Sequence, residues 1–292
     1  MEDNLITSLF LPLALGIIMM GMGMSLTPGD FRRVVQFPKA VLAGLACQML
    51  MLPLLGVGIV SLFGLQGYLA VGLILLAICP GGATSNLVSH LAGVDLALSV
   101  TLTAISSVLC NLSIPFLLNL ALYAYTGGEQ AVQLPILKTT LQIVVVTLVP
   151  VAIGMLIHRF KPEFTKKMAK PVNLISAAFF VVILASAIIK ERTQIVPYFQ
   201  EAGVPALILN GASMLLAIGV GAALDLPLGQ RITISIETGI QNGTLALGIA
   251  LSPAMLNQPA AGIPGAIYSL MMFGTALLLV FWSRSRLKVA TN

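Results

Sequence analysis

The chain is written in long apolar blocks separated by short polar ones. Nine blocks approach or exceed the roughly 20 residues that a helix needs to cross a bilayer. They lie near 5–26, 38–62, 67–91, 94–125, 134–158, 169–189, 203–224, 228–252 and 261–283. The runs are evenly apolar, whereas membrane β-strands alternate over roughly ten residues, which argues against a β-barrel. The pattern predicts an all-α polytopic membrane protein of nine transmembrane helices, with residues 1–292 in a single transmembrane domain.

Two blocks are interrupted at their centres. The third carries Cys79-Pro-Gly-Gly-Ala-Thr-Ser-Asn86, and the eighth carries Ser235-Ile-Glu-Thr-Gly-Ile-Gln-Asn-Gly-Thr244. Proline denies a bond to the preceding turn, and glycine frees the chain from helical geometry. Each is therefore expected to be two half-helices joined by irregular backbone. Such backbone is tolerated at membrane depth only inside protein or beside a watery cavity. Gln48 lies in the block before the first break, and Asn210 in the block before the second. Blocks one to four match six to nine with inverted topology, leaving the fifth unpaired. That is the layout of a secondary transporter with an inverted repeat, whose site lies where two broken helices cross.

Composition supports the membrane reading. The 292 residues are 58% hydrophobic and 9% charged, against about 25% charged in a soluble domain. Mean hydropathy is +1.02. The net charge of +5 is explained by topology, without need of a nucleic-acid partner. Twelve of the 15 Lys and Arg fall on one set of alternate loops and ends: Arg32, Arg33, Lys39, Arg159, Lys161, Lys166, Lys167, Lys170, Arg231, Arg284, Arg286 and Lys288. The other set holds Lys138, Lys190 and Arg192. The positive-inside rule then puts the N-terminus outside and the C-terminus in the cytoplasm. Cys47, Cys79 and Cys110 sit in apolar runs and read as small buried hydrophobes. The Met-Glu-Asp-Asn start lacks the basic region of a cleaved signal, so the first block is expected to be retained.

Glu237 is the acidic residue placed inside a span. A carboxylate at that depth is costly and is a functional-site hypothesis by default. Either the span is kinked and a protonated Glu237 bonds a neighbour, or the carboxylate holds a cation. Hard cations take several oxygen ligands. Ser85, Asn86, Gln48 and Gln241 supply them near the breaks, and Ser99 and Thr103, four apart, share one helix face. Back-bonding to the preceding turn is the alternative role of those two hydroxyls. No catalytic constellation lies within the spans, so an enzyme is not expected.

These residues resemble the bile acid:sodium symporter family, in its nine-helix bacterial form. The likeness runs over nearly the whole chain. It rests on Cys79 to Asn86, on Ala97-Leu-Ser-Val100 with Thr103, on Ile236-Glu-Thr-Gly-Ile-Gln-Asn-Gly243, and on Pro264-Gly-Ala266. The resemblance implies a core domain of blocks 38–62, 67–91, 94–125, 203–224, 228–252 and 261–283. It implies a panel domain of 5–26, 134–158 and 169–189, with a substrate cavity between the two. Two sodium ions are implied as coupling ions, with no other cofactor. Carried over by motif, one ion takes Ser85, Asn86, Ser99, Thr103 and Glu237. The other takes Gln48, Glu237, Gln241 and the carbonyls of Thr238 and Ile240. The backbone at Ala83 and Thr84, with the Asn242 side chain, is expected to meet an anionic substrate. Met272 and Phe273 stand where some bile-acid-binding members carry a polar His-Asn pair, which argues against bile acid itself. The expected activity is sodium-coupled import of an organic anion across a bacterial inner membrane by alternating access. The alternative is proton coupling, or sodium–proton exchange, in a related fold.

Overall fold

The computed structural model describes residues 11–128, 134–190 and 192–290. The described residues are helical apart from loops and one isolated β-bridge. Of the first predicted span, residues 5–10 and the polar start lie outside the described residues; its helix is α1, Leu11–Gly23. A short helix follows, α2 (Pro28–Arg32), at a sharp bend. A reciprocal cap between Thr27 and the buried Asp30 fixes its start, and Arg33 pairs with Asp30 at 2.9 Å.

The second span runs as α3 (Pro38–Ala46), a π-turn (Cys47–Met51) and α4 (Leu52–Phe63). The fifth repeats the design as α8 (Ile136–Ile143), a π-turn (Val144–Leu148) and α9 (Val149–Phe160). A helical proline crowds the carbonyl four residues back and gives it no N–H. For Pro53 that carbonyl belongs to Met49, and for Pro150 to Val146, so each lies within a π-turn. The wider turn accommodates the ring without ending the span.

The third span is α5 (Gly67–Ile78) and α6 (Ala83–Ala92); the eighth is α12 (Leu228–Gly239) and α13 (Gly243–Leu251). At about 1.5 Å per residue, none of these half-helices exceeds about 18 Å. The remaining helices are α7 (Leu96–Tyr125), α10 (Pro162–Lys190), α11 (Ile195–Ala223) and α14 (Pro259–Ala290). Helices α10, α11 and α14 outrun the spans drawn for them at 169–189, 203–224 and 261–283. The apolar count measures the width of hydrocarbon, whereas Lys, Glu and Ala carry a helix on beyond it. Lys166, Lys167 and Lys170, expected in a loop, therefore sit on α10.

By length and composition six described helical stretches can cross a membrane singly, and the bent segment from Leu11 to Val35 makes a seventh if taken as one. The first helix packs against α9 and α10. Gly23 lies on the Val151 backbone and Gly154 on the Met20 backbone, so closely that a Cβ at either would collide with a carbonyl oxygen. Small residues at such crossings let membrane helices approach backbone to backbone. The broken helices are enclosed by α7, α11 and α14, and the largest apolar cluster gathers around α5 and α13.

Candidate functional site

The two breaks meet. Gly81 pairs with Gln241 in an antiparallel bridge. The Gly82 N–H donates to the Ile240 carbonyl at 2.9 Å, and the Asn242 N–H to the Pro80 carbonyl at 3.0 Å. The exchange satisfies backbone groups that the broken helices would otherwise leave bare in an apolar interior.

A side-chain amide then holds the end of each first half-helix. Gln48, in the first π-turn, donates to the Cys79 carbonyl at 2.8 Å. Asn210 donates to the Gly239 carbonyl, also at 2.8 Å. The polar residues singled out before each break thus do matching work. Tyr268 of α14, fully buried, adds a second donor to Gly239 at 2.9 Å, and Thr275 donates to Asn210 Oδ1 at 2.5 Å. Neither stands out in the sequence: each is one polar group in a long apolar block, and its partner is distant along the chain.

Glu237 lies in the last turns of α12, 2% exposed. Thr103 of α7 donates to its Oε1, and Ser99 donates to Oε2 at 3.1 Å. Asn86 Oδ1 lies 2.9 Å from Ser99 Oγ and 3.3 Å from Thr103 Oγ1. Ser85 Oγ stands 3.4 Å from Thr103 Oγ1 and bonds the Gly82 carbonyl at 2.7 Å. So Ser85, Asn86, Ser99, Thr103 and Glu237 form one cluster. Gly81 is seated on the carboxylate, where a Cβ would come 2.5 Å from Oε1. The cluster holds six side-chain oxygens but only three hydroxyl hydrogens, of which Ser85 spends its own on Gly82. Among the described residues the ion pairs are Arg33–Asp30 and Lys166–Glu163, so Glu237 has no cationic side chain beside it. Buried charges are paired or coordinate metal ions.

Of the second predicted group, Gln48, Gln241 and the Thr238 carbonyl come together. Gln48 and Gln241 exchange amide bonds of 3.0 and 3.2 Å, and Gln241 donates to the Thr238 carbonyl at 2.7 Å. The Ile240 carbonyl is engaged by Gly82, and the Thr238 hydroxyl turns back to Ile234. The Glu237 hydrogen bonds described above belong to the first group.

The two second half-helices begin differently. At α13 the Asn242 side chain caps the Leu245 N–H at 3.0 Å. At α6 the cap is Gly82, which has no side chain to offer, and Ala83 and Thr84 are exposed. Met272 is buried in the core cluster while Phe273 is 46% exposed. Adjacent helical residues point about 100° apart, so the two do not share a face.

The sequence profile of the Sodium Bile acid symporter family matches residues 12–197. This chain belongs to that family. A chloroplastic rice (Oryza sativa subsp. japonica) protein described as a probable sodium/metabolite cotransporter is 31% identical over 94% of this chain and 64% of its own length. A Bacillus subtilis (strain 168) protein described as an uncharacterized sodium-dependent transporter is 31% identical over 95% of this chain and 84% of its own. The ileal sodium/bile acid cotransporter of rabbit (Oryctolagus cuniculus) is 27% identical over 83% and 69%. The chain thus spans a little under two thirds of the rice relative. The family and these three relatives are named for transport, not catalysis. With its apolar spans, the chain is an integral membrane protein.

Proposed function

We propose that the chain is a sodium-coupled symporter importing an organic anion, with two sodium ions bound behind the crossing. The observation that carries this is the buried cluster around Glu237, rich in oxygen and poor in hydrogen. Hydroxyl and amide oxygens around a carboxylate suit a hard monovalent cation. Gln48, Gln241 and the carbonyls of Thr238 and Ile240 make the second position, each oxygen keeping a lone pair beyond the bond it now accepts.

The anion meets the bare N-terminus of α6 at Ala83 and Thr84, where free N–H groups and the helix dipole favour negative charge. Asn242, on the opposite strand of the crossing, is the side-chain contact. Sodium binding makes the crossing electropositive and so raises anion affinity. The core, built on the two broken helices with α3–α4, α7, α11 and α14, then moves against the panel of α1, α8–α9 and α10. The cytoplasmic end is the basic one, and the membrane is a bacterial cell membrane. The rice, Bacillus and rabbit relatives named for sodium-dependent transport support the coupling ion.

The test is thermal stabilisation of the purified protein in sodium against potassium. A ligand that binds only the folded state at 100 times its Kd stabilises it by about 2.7 kcal/mol. Sodium raises the midpoint and potassium does not; Glu237→Gln, which keeps hydrogen-bonding capacity but not charge, removes the difference. Equal stabilisation by both ions, replaced by a dependence on pH, would instead establish proton coupling.

A further inference from the structure

The hydroxyls that hold Glu237 belong to a longer file. On α7, Ser99, Thr103, Ser107 and Asn111 recur every four residues and so share one face. All four are buried, Ser107 to 3% and Asn111 to 2% exposure. Ser99 and Thr103 give their hydrogens to Glu237, and the two polar residues beyond them turn onto the helix backbone. Thr103 Oγ1 lies 3.1 Å from the Ser99 carbonyl, Ser107 donates to the Thr103 carbonyl at 2.6 Å, and Asn111 Nδ2 to the Ser107 carbonyl at 2.6 Å. Ser107 has oxygen lone pairs left, and Asn111 has the lone pairs of Oδ1 and one amide hydrogen. Back-bonding alone accounts for single hydroxyls in membrane helices, but it does not account for the end of the file. There Asn111 Oδ1 is buried with no hydrogen-bond partner. Four residues on, Pro115 interrupts α7 and has no N–H to give the Asn111 carbonyl. One buried residue therefore carries a side-chain oxygen without a donor and a backbone oxygen deprived of its helical one. A buried acceptor left bare calls for a water or an ion.

We infer that Asn111 and Ser107 form an outer station for a monovalent cation on its way to the Glu237 cluster. The inference rests on the sodium reading above. The bare Asn111 Oδ1 and the Asn111 carbonyl are acceptors, which receive a cation and not an anion. Ser107 lies about 6 Å and Asn111 about 12 Å along α7 from Thr103 at about 1.5 Å per residue, away from the Asp95 end of the helix and towards Tyr125. The Met22 sulfur of α1 lies 3.8 Å from Ser107 Oγ, which puts this point of the file beside the first helix. A cation arriving between α1 and α7 meets Asn111, then Ser107, then the shared ligand Thr103.

The experiment is anomalous diffraction from crystals of the full chain with thallium(I) replacing sodium. The expected result is a peak beside Asn111 Oδ1 and Ser107 Oγ, in addition to density at Glu237. Asn111→Leu removes the outer peak and not the one at Glu237, and Ser107→Ala weakens the outer peak. A peak at Glu237 with none at Asn111 in the unaltered protein overturns the station and leaves the symport reading standing. Peaks at neither position reject both. An outer peak that survives in Asn111→Leu rejects the assigned ligand.

Discussion

At the scale of single residues, the site is a matter of which oxygen faces which. Glu237 was legible because a lone carboxylate in an apolar run has few structural uses. Its partners were legible because hydroxyls four apart must share a helix face. Tyr268, Thr275 and Asp30 were not legible. Each acts through a tertiary contact or a cap, and burial of one polar group leaves no periodic trace. Met272 and Phe273 show the opposite limit: adjacency in sequence places two side chains on different sides of α14. Gly81 offers a sharp test of the carboxylate's position. A Cβ there would lie 2.5 Å from Oε1 and 3.1 Å from Cδ of Glu237, whose oxygens are pinned by Ser99 and Thr103. The side chain cannot yield without giving up those bonds. Overpacking of about 1–3 kcal/mol translates into a rise of about 5- to 150-fold in the sodium concentration needed for half-maximal stabilisation of Gly81→Ala. At Gly82 the added Cβ meets Gln241 O at 3.2 Å and the Thr84 hydroxyl at 3.3 Å, away from the carboxylate. Titrating both variants with sodium checks the order. An equal effect at the two glycines would mean that the loop, not Glu237, is being disturbed.

At the scale of elements, the broken helices are held by amides from neighbouring spans. The break positions followed from Pro80, Gly81, Gly82, Gly239 and Gly243. Their mutual pairing did not, because an antiparallel bridge between residues 160 apart depends on how the helices around it pack. The π-turns are similar. Pro53 and Pro150 are tolerated inside spans when freed carbonyls are satisfied by neighbours, and the choice of a π-turn over a kink is made by the surrounding packing. The two amide contacts look alike but differ in redundancy. The donor to the Cys79 carbonyl is Gln48, whereas the Gly239 carbonyl has both Asn210 and Tyr268. Leaving a buried carbonyl without a donor costs about 1–3 kcal/mol. Gln48→Ala therefore destabilises the sodium-free protein by that amount. Asn210→Ala costs less until Tyr268→Phe is added, when the loss exceeds the sum of the singles. Chemical denaturation of the four variants measures this. Equal losses for Gln48→Ala and Asn210→Ala would show that the phenol does not substitute for the amide.

At the scale of the whole molecule, what remains is orientation, and it decides what each feature is for. The half-helices α6 and α13 point in directions fixed by the fold, but which membrane face the anion leaves from depends on how the bundle is inserted. The basic residues supply the argument: on the nine-span reading Lys39, Lys166, Arg284 and their companions fall on one set of alternate loops and ends, and Lys138 on the other. Insertion follows that bias through the charge of short loops and span ends. Lys138 and Lys166 are both exposed, at the starts of α8 and α10, and the three native cysteines are buried. A membrane-impermeant maleimide therefore reads a single introduced thiol. Lys138→Cys is labelled in intact cells, and Lys166→Cys only after the membrane is opened. With that outcome the Tyr125 end of α7 faces outward, and a cation entering from outside reaches Asn111 before Glu237. The reverse labelling would turn the same file into a release path, because sodium would leave the Glu237 cluster past Ser107 and Asn111 instead of arriving by them.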